Sequence, residues 1–367
     1  MSAAAVVNVR LGEPSRAIGE RGPWLVSARW DVAVFGGSAA LAFALLLWGR
    51  LTGTLESVTP PWAWIVTVLA VDVAHVWATA YRVYLDPEER LRRPGLYFGV
   101  PLAAYAVGVV LYSASSAAFW RMLAYLAVFH FIRQQYGWVA LYRRRLGTTS
   151  RLDRVLDDAA IYSATIYPIL WWHAHLPREF EWFIEGDFLP GLPTGAADAL
   201  LPLHVLVSVS YVIRQAWLRA HRRPTSAGKD LVIASTWLTW YVGIVVLDSD
   251  YAFTVTNVLV HGIPYLALVW VYGRGRFGGG PSPLGRVFRP RGWPVYFRSR
   301  AGSTGPTARA ASIDPLPPRC LDLARQGQPR PRAPAGTGIE GRRGCSQSTA
   351  DHARVIDDTF SFRNELV

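Results

Sequence analysis

The chain has 367 residues, of which 51% are hydrophobic and 17% are charged. Up to about Tyr272 the hydrophobic residues fall in blocks of roughly 18–25, the length that a helix needs to cross a bilayer. We therefore expect an all-α, polytopic membrane helix bundle. The net charge of +12 comes from short loops and the C-terminal part, where arginines orient membrane helices, so it requires no nucleic-acid partner.

The hydrophobic blocks predict eight transmembrane helices, at 30–49, 62–84, 96–115, 117–141, 157–176, 198–218, 230–247 and 251–273. Arginine-rich connections at 82–93, 143–154 and 214–229 alternate with connections that carry few basic residues. The positive-inside rule places the arginine-rich connections and both termini in the cytoplasm. We expect a multi-pass protein of the cell inner membrane, with the lipid bilayer as its main partner.

The flanking segments differ from this core. Residues 1–29 lack the basic start and short apolar stretch of a cleavable signal peptide, and we interpret them as a cytoplasmic N-terminal segment. Residues 274–367 are rich in arginine, proline and glycine, which predicts a disordered cytoplasmic tail. Both cysteines, Cys320 and Cys345, lie in this tail, so no thiolate metal site is expected within the membrane.

The longest predicted outer connection, 177–197, mixes acidic and aromatic residues. Aromatic rings prefer the interface between the membrane and water, so this pattern fits a short interfacial helix or a lid. A solvated loop with a few interfacial rings is the alternative.

Three histidines stand inside the apolar blocks: His75, His130 and His261. Ionisable groups at membrane depth are costly and are retained where something pairs with them. The second, fourth and eighth predicted spans, which carry these residues, run in the same direction. At about 1.5 Å per residue the histidines lie roughly 20, 20 and 15 Å below the span starts, so they share one layer of the bilayer.

Polar residues accompany the histidines at helical spacing. Asp72 lies one turn before His75 and is positioned to ligate a metal or to hold the imidazole in one tautomer. Arg133 needs an acid, for which Asp72 and Asp86 are available, or it lies low enough to reach the cytoplasmic surface. Structural hydrogen bonds between helices are the alternative use of all these groups. The remaining members of the predicted polar site are Thr79, Arg82, Gln134, Asn257, Tyr265 and His204.

Three neutral imidazoles, with or without Asp72, would suit iron or another transition metal and leave a coordination position open. Our first hypothesis is therefore a metal-dependent oxygenase or related enzyme that acts on an apolar, lipid-soluble small molecule. A site for one metal requires ring nitrogens within roughly 3–5 Å of one another, because metal–nitrogen bonds are about 2.0–2.1 Å long.

Around the second of these histidines the chain reads Phe129-His130-Phe131. Together with His75 and His261, this segment resembles the bacterial membrane beta-carotene dioxygenase family, which is related to the bacterio-opsin-linked proteins. The resemblance implies a membrane enzyme of similar size and span number, with these histidines as iron ligands. The chain departs from that family at Ile132-Arg133, where a glycine and an acid are expected, and at His261, where paired histidines are expected. The carotenoid substrate is therefore not carried over.

Two other hypotheses remain open at the level of the sequence. Asp72, His75 and Arg133 could line the pathway of a proton-coupled transporter or permease. Alternatively, two of the histidines could ligate a haem, or all of the polar groups could be structural. Haem ligation predicts a pair of histidines on facing helices, whereas a single-metal site predicts that all three converge.

Overall fold

The computed structural model describes residues 23–56, 58–147, 149–278 and 283–289, and all regular secondary structure within these ranges is helical. Most of the predicted N-terminal segment, and the tail from residue 290 with both cysteines, lie outside the described residues. The chain divides after Gly273 into two compact units. All of the predicted site residues belong to the first unit.

Long helices occupy all eight of the ranges predicted from hydrophobicity, and two short helices lie among or after them. In chain order the helices are α1 Ala28–Thr52, α2 Pro61–Arg82, α3 Pro87–Arg92, α4 Pro94–Ala114, α5 Ser116–Leu146, α6 Arg151–Ala174, α7 Thr194–Ala220, α8 Ala227–Val246, α9 Asp250–Phe277 and α10 Pro283–Val287. Helix α9 continues four residues past its predicted end at 273.

Six of these helices, α1, α2, α4, α7, α8 and α9, are long and apolar enough to cross a membrane. Helices α5 and α6 do not meet that criterion, and α5 carries arginines at 121, 133 and 143–145. Within the residues that the structure describes, the protein is thus helical and has six candidate membrane spans.

The helix ends follow from local chemistry. Five helices begin directly after a serine whose hydroxyl accepts a backbone N–H of the first turn, which satisfies a group that the helix itself leaves unpaired. These serines are Ser27, Ser115, Ser150, Ser226 and Ser249. Helices α1 and α5 end at glycines with positive φ, Gly53 at 75° and Gly147 at 84°, a conformation that other residues adopt only with strain.

Helix α9 lies at the centre of the bundle and α4 at its edge. In its most apolar stretch, 83% of the residues of α9 are buried, whereas none are buried in α4. Helix α9 packs against α1, α2 and α8. His261 and Asn257, in the buried stretch of α9, are 0% and 1% exposed and are therefore enclosed by protein.

Helices α2 and α9 contact each other through stretches of π-helix, Ile65–Val73 in α2 and Thr254–Val258 in α9. Such wide turns are rare and often mark functional sites. His75 and His261 follow these two stretches within three residues. The two helices approach closely at Gly262, where a Cβ atom would lie 2.5 Å from Cγ1 of Val71.

The outer connection between α6 and α7 forms no helix, so the predicted interfacial helix is absent from it. Some of its side chains are exposed, among them Phe183 and Leu189, whereas others pack against the helices. The ring of Phe180 stacks on Phe253 at 3.5 Å, and Phe188 packs against Trp172. Asp187 is only 2% exposed and accepts the backbone N–H of Phe183 at 2.7 Å. This segment packs over neighbouring ends of α5, α6 and α9.

Candidate metal centre

The three histidines that the sequence placed inside apolar blocks converge. Nε2 of His75 lies 3.0 Å from Nε2 of His261 and 3.5 Å from Nε2 of His130. One ligand atom from each residue lies within 4.8 Å of the other two. Two nitrogens bound to one tetrahedral ion at 2.0–2.1 Å would be about 3.3 Å apart. The spacing predicted for a single-metal site is therefore present, and the donor set fits a transition metal.

Burial differs among the three side chains. His75 and His261 are 3% and 0% exposed, because α2 and α9 meet in the interior, whereas His130 is exposed on the outer surface of α5. Leu126, one turn before His130, and its neighbour Phe129 are also exposed. The site is therefore closed toward the core and open on one side, toward a surface of apolar side chains.

Asp72 lies beside His75, one turn earlier on α2. Its Oδ1 atom lies 3.3 Å from Nδ1 of His75. A carboxylate beside Nδ1 favours the tautomer with the proton on that nitrogen, which leaves the lone pair of Nε2 for a metal. Asp72 is not among the residues that converge, and its contact with Nδ1 is compatible with the second of the two roles predicted for it, that of orienting the ligand.

The ring of His261 is held from several directions. Phe131 stacks on it with ring centroids 3.7 Å apart and planes 5° apart. Gln134 donates from Nε2 to the backbone carbonyl of His261 at 2.6 Å. Within the described residues, neither Nδ1 of His261 nor Oδ1 of Asn257, one turn earlier, has a hydrogen-bond partner. A ligating His261 would carry its proton on Nδ1, and the amide oxygen of Asn257 is an acceptor of the matching kind.

Tyr265 and Thr79 close the site on the side of α9 and α2. Their hydroxyl groups lie 3.0 Å apart, and the ring of Tyr265 stands edge-on to that of His75 at 5.8 Å. Both residues were predicted members of the polar site, and the structure places them beside it.

Arg82 and Arg133, which the sequence also assigned to this site, contact other groups. Arg133 donates to the hydroxyl of Tyr162 at 2.5 Å and lies over the ring of Tyr136, so neither Asp72 nor Asp86 is its partner. Arg82 lies 3.5 Å from Glu89.

Glu89, on the short helix α3, lies outside the predicted spans. Burial raises the pKa of Glu89, but the hydrogen bond from Tyr97 and the charges of Arg82 and Arg92 outweigh burial, so its pKa lies below the ordinary value. The ion pair between Glu89 and Arg82 therefore ties α2 to α3 and is separate from the histidines.

His204, the last predicted member, belongs to a different network. Its ring nitrogens contact Ser163 on α6 at 2.8 Å and Trp237 on α8 at 3.0 Å. The pattern of polar residues on one helix does not show which neighbouring helix they contact. His204 contacts α6 and α8, and this packing separates it from the three converging histidines.

The sequence did not identify Phe131 as part of the site. Its ring covers one whole face of His261, so it fixes the imidazole plane and keeps other groups away from that face. Its position directly after His130 does not predict this contact, because successive residues of a helix normally point in different directions.

Replacing Asp72 with asparagine is expected to weaken metal binding about tenfold, because an outer-shell carboxylate that orients a histidine ligand typically contributes 10- to 100-fold in affinity. The measurement is a competitive zinc titration of purified protein with a fluorescent chelator. Asp198→Asn, an exposed position on α7, is the matched control and should leave the affinity unchanged. Equal affinities for the two variants would show that Asp72 does not act on His75.

Comparison with protein families, curated proteins and solved structures finds no match for the chain. The geometry of the site and the surfaces around it are therefore the basis for any functional conclusion.

Proposed function

We propose that this protein is a metal-dependent membrane enzyme, an oxygenase or related enzyme that acts on an apolar molecule dissolved in the bilayer. The observation that carries the proposal is the convergence of His75, His130 and His261, with two ring-nitrogen distances of 3.0 and 3.5 Å. Such a set of neutral imidazoles is costly to assemble in an apolar interior unless a ligand compensates for it.

The asymmetric exposure of the site supports an apolar substrate. His130 faces outward among exposed apolar residues of α5, while His75 and His261 are enclosed. A molecule that diffuses in the hydrocarbon layer can reach the open side without crossing water. A water-soluble substrate would have to leave water to reach the same opening, which costs free energy for each polar group that it carries.

Iron is the metal that we propose, in agreement with the resemblance of the histidine segment to the membrane dioxygenases. Three imidazoles leave coordination positions free, and a bound iron would supply the redox chemistry that activation of oxygen requires. The protein's own contribution is orientation: Asp72 sets the tautomer of His75, and Phe131 sets the plane of His261.

We further propose eight membrane spans with both termini in the cytoplasm, in the inner membrane. The support is that helices occupy all eight predicted ranges and that arginine-rich connections alternate with arginine-poor ones. Helices α5 and α6 pack against each other and against α8, so they can cross the bilayer with their charged faces turned inward.

The described contacts favour the enzyme over a transporter and over a haem protein. A transport pathway through Asp72, His75 and Arg133 would bring these groups together, but Arg133 contacts Tyr162 and Tyr136. Haem ligation predicts one facing pair of histidines, and here three converge.

An experiment with nitric oxide, a stand-in for oxygen, tests the proposed function. Purified protein is loaded anaerobically with iron(II), exposed to nitric oxide and examined by electron paramagnetic resonance. We expect the spectrum of an iron–nitrosyl complex at about one per chain, because the three histidines leave a free position on the metal. If iron binds but no nitrosyl complex forms, the site is closed to oxygen and the oxygenase proposal is wrong.

A further inference from the structure

A second polar site lies between α6 and α7, in a groove of about 250 Å³. Most of its lining is aliphatic, and its polar members are Tyr162, Ser163, Tyr167 and His204. The three histidines of the metal centre are not part of its lining. The groove is smaller than the roughly 300–1,000 Å³ of a typical pocket for a drug-sized molecule, so it fits a narrow ligand.

The protonation of His204 follows from its neighbours. The indole Nε1–H of Trp237 can only donate, and it lies 3.0 Å from Nε2 of His204. Nε2 is therefore an acceptor without a proton, and Nδ1 of the neutral ring carries the proton. Nδ1 lies 2.8 Å from Oγ of Ser163 and donates to it. The ring of Tyr167 stacks on that of His204 with centroids 4.3 Å apart. The indole of Trp237 lies nearly parallel to the imidazole plane, at its edge, as the hydrogen bond requires.

Because His204 donates to Ser163, the serine is not activated as a nucleophile and can instead donate its own proton to a ligand. A serine that is activated as a nucleophile donates its proton to a histidine, whereas Ser163 accepts from His204. Its own O–H group makes no other hydrogen bond within the part of the chain that the structure describes. The hydroxyl of Tyr162, which accepts from Arg133 at 2.5 Å, likewise retains its proton. The groove thus presents hydrogen-bond donors, and a matching ligand must carry a hydrogen-bond acceptor.

The depth of the groove further restricts the chemical class of the ligand. His204 lies six residues, about 9 Å, below the predicted outer edge of its span at 198. The ester carbonyls of a phospholipid belong to the interfacial layer and not to the hydrocarbon layer. An acceptor that reaches Ser163 must therefore belong to a molecule dissolved in the hydrocarbon layer. Its tail would occupy the aliphatic part of the groove.

We propose that this groove is a binding site for a lipid-soluble carbonyl compound, a quinone or a long-chain ketone, whose oxygen accepts from the hydroxyl of Ser163. The chain of donors runs from Trp237 through His204 to Ser163 and ends on the ligand. Because this site shares no residue with the metal centre, it stands or fails independently of the proposed enzyme.

The test uses two probes, decylubiquinone and a long-chain methyl ketone, with purified protein in nanodiscs. Saturable binding of either probe to the wild type is expected, and Ser163→Ala should weaken it by up to about tenfold, the effect of one neutral hydrogen bond. Ser208→Ala is the matched control. The hydroxyl of Ser208 donates to the backbone carbonyl of His204 at 2.8 Å, and it is not part of the groove lining, so this variant should bind within twofold of the wild type.

Infrared spectroscopy of the carbonyl-labelled probe provides a readout that a merely structural role of Ser163 would not affect. A hydrogen bond lowers the carbonyl stretching frequency, so the shift should be present in the wild type and in Ser208→Ala but absent in Ser163→Ala. Trp237→Phe keeps an aromatic ring but removes the N–H donor, and it should reduce the fraction of probe that shows the shift. The proposal is overturned if neither probe binds saturably, or if Ser163→Ala and Ser208→Ala show the same affinity and the same frequency. Which probe shows the shift decides between a quinone and a ketone.

Discussion

Replacing His261 with alanine is expected to abolish stoichiometric metal binding. His261 is fully buried, and its Nε2 lies 3.0 Å from that of His75. Its loss therefore removes a ligand that no solvent molecule can readily replace. The affinity should fall by more than the roughly 10- to 100-fold expected for an outer-shell residue. Metal analysis after loading with iron(II) or zinc(II) and desalting should give about one equivalent for the wild type and a small fraction of one for the variant.

His204→Ala is the matched control for this prediction. His204 is also buried, at 3% exposed, and it also lies in an apolar helix, but its partners are Ser163 and Trp237. This variant should keep the full metal content. His75→Ala and His130→Ala should both lose metal. If the variants of His75, His130 and His261 all retain one equivalent of metal, the metal binds elsewhere and the centre described above is refuted.

The second large effect is expected at the buried ion pair between α8 and α6. Nζ of Lys229, the single lysine of the chain, lies 2.5 Å from Oδ1 of Asp157, and the two side chains are 3% and 0% exposed. Lys229→Met leaves a carboxylate buried without its counter-charge, which typically costs about 3–5 kcal/mol. Reversible unfolding of the protein in detergent should show a loss of that size.

Two further variants separate this explanation from a general effect of mutation. The double variant Lys229→Met with Asp157→Leu removes both charges and should recover much of the loss, because replacing a whole buried pair is often neutral. Arg50→Ala breaks the exposed pair with Glu56, at 3.3 Å, and should cost about 0–1 kcal/mol. A double variant no more stable than Lys229→Met alone would argue against an uncompensated charge as the cause.

Much of the fold could be predicted from hydrophobic patterning because the bilayer sets the length of a helix and the chain must satisfy its backbone polar groups internally. All eight predicted ranges are helical, and serines cap five of the helices, a signal that is local to the sequence. The interfacial helix, one of the structures predicted for 177–197, does not form between α6 and α7. Its aromatic residues find partners on α5, α6 and α9, and such tertiary contacts are not visible in a local pattern.

The candidate site was predictable in part, because helix geometry relates position along the chain to depth. Helix direction and rise place His75, His130 and His261 in one layer, so their common depth needs only the sequence. The pairing of Asp72 with His75 is also local, because the two residues are one turn apart on the same helix. By contrast, the partners of Arg133 and His204 lie on neighbouring helices, and nothing in their own helices specifies which neighbours those are.

The sequence by itself determined that this is a helical protein with membrane-length apolar segments and with three histidines at similar depth. Both properties depend on periodicity and on distance along a helix axis, which chain position alone defines. Only the tertiary structure decided that these three histidines converge while His204 does not, and that His130 opens outward while His261 is enclosed. These outcomes depend on which helix faces meet, and they follow from long-range packing such as the close approach of Gly262 to Val71.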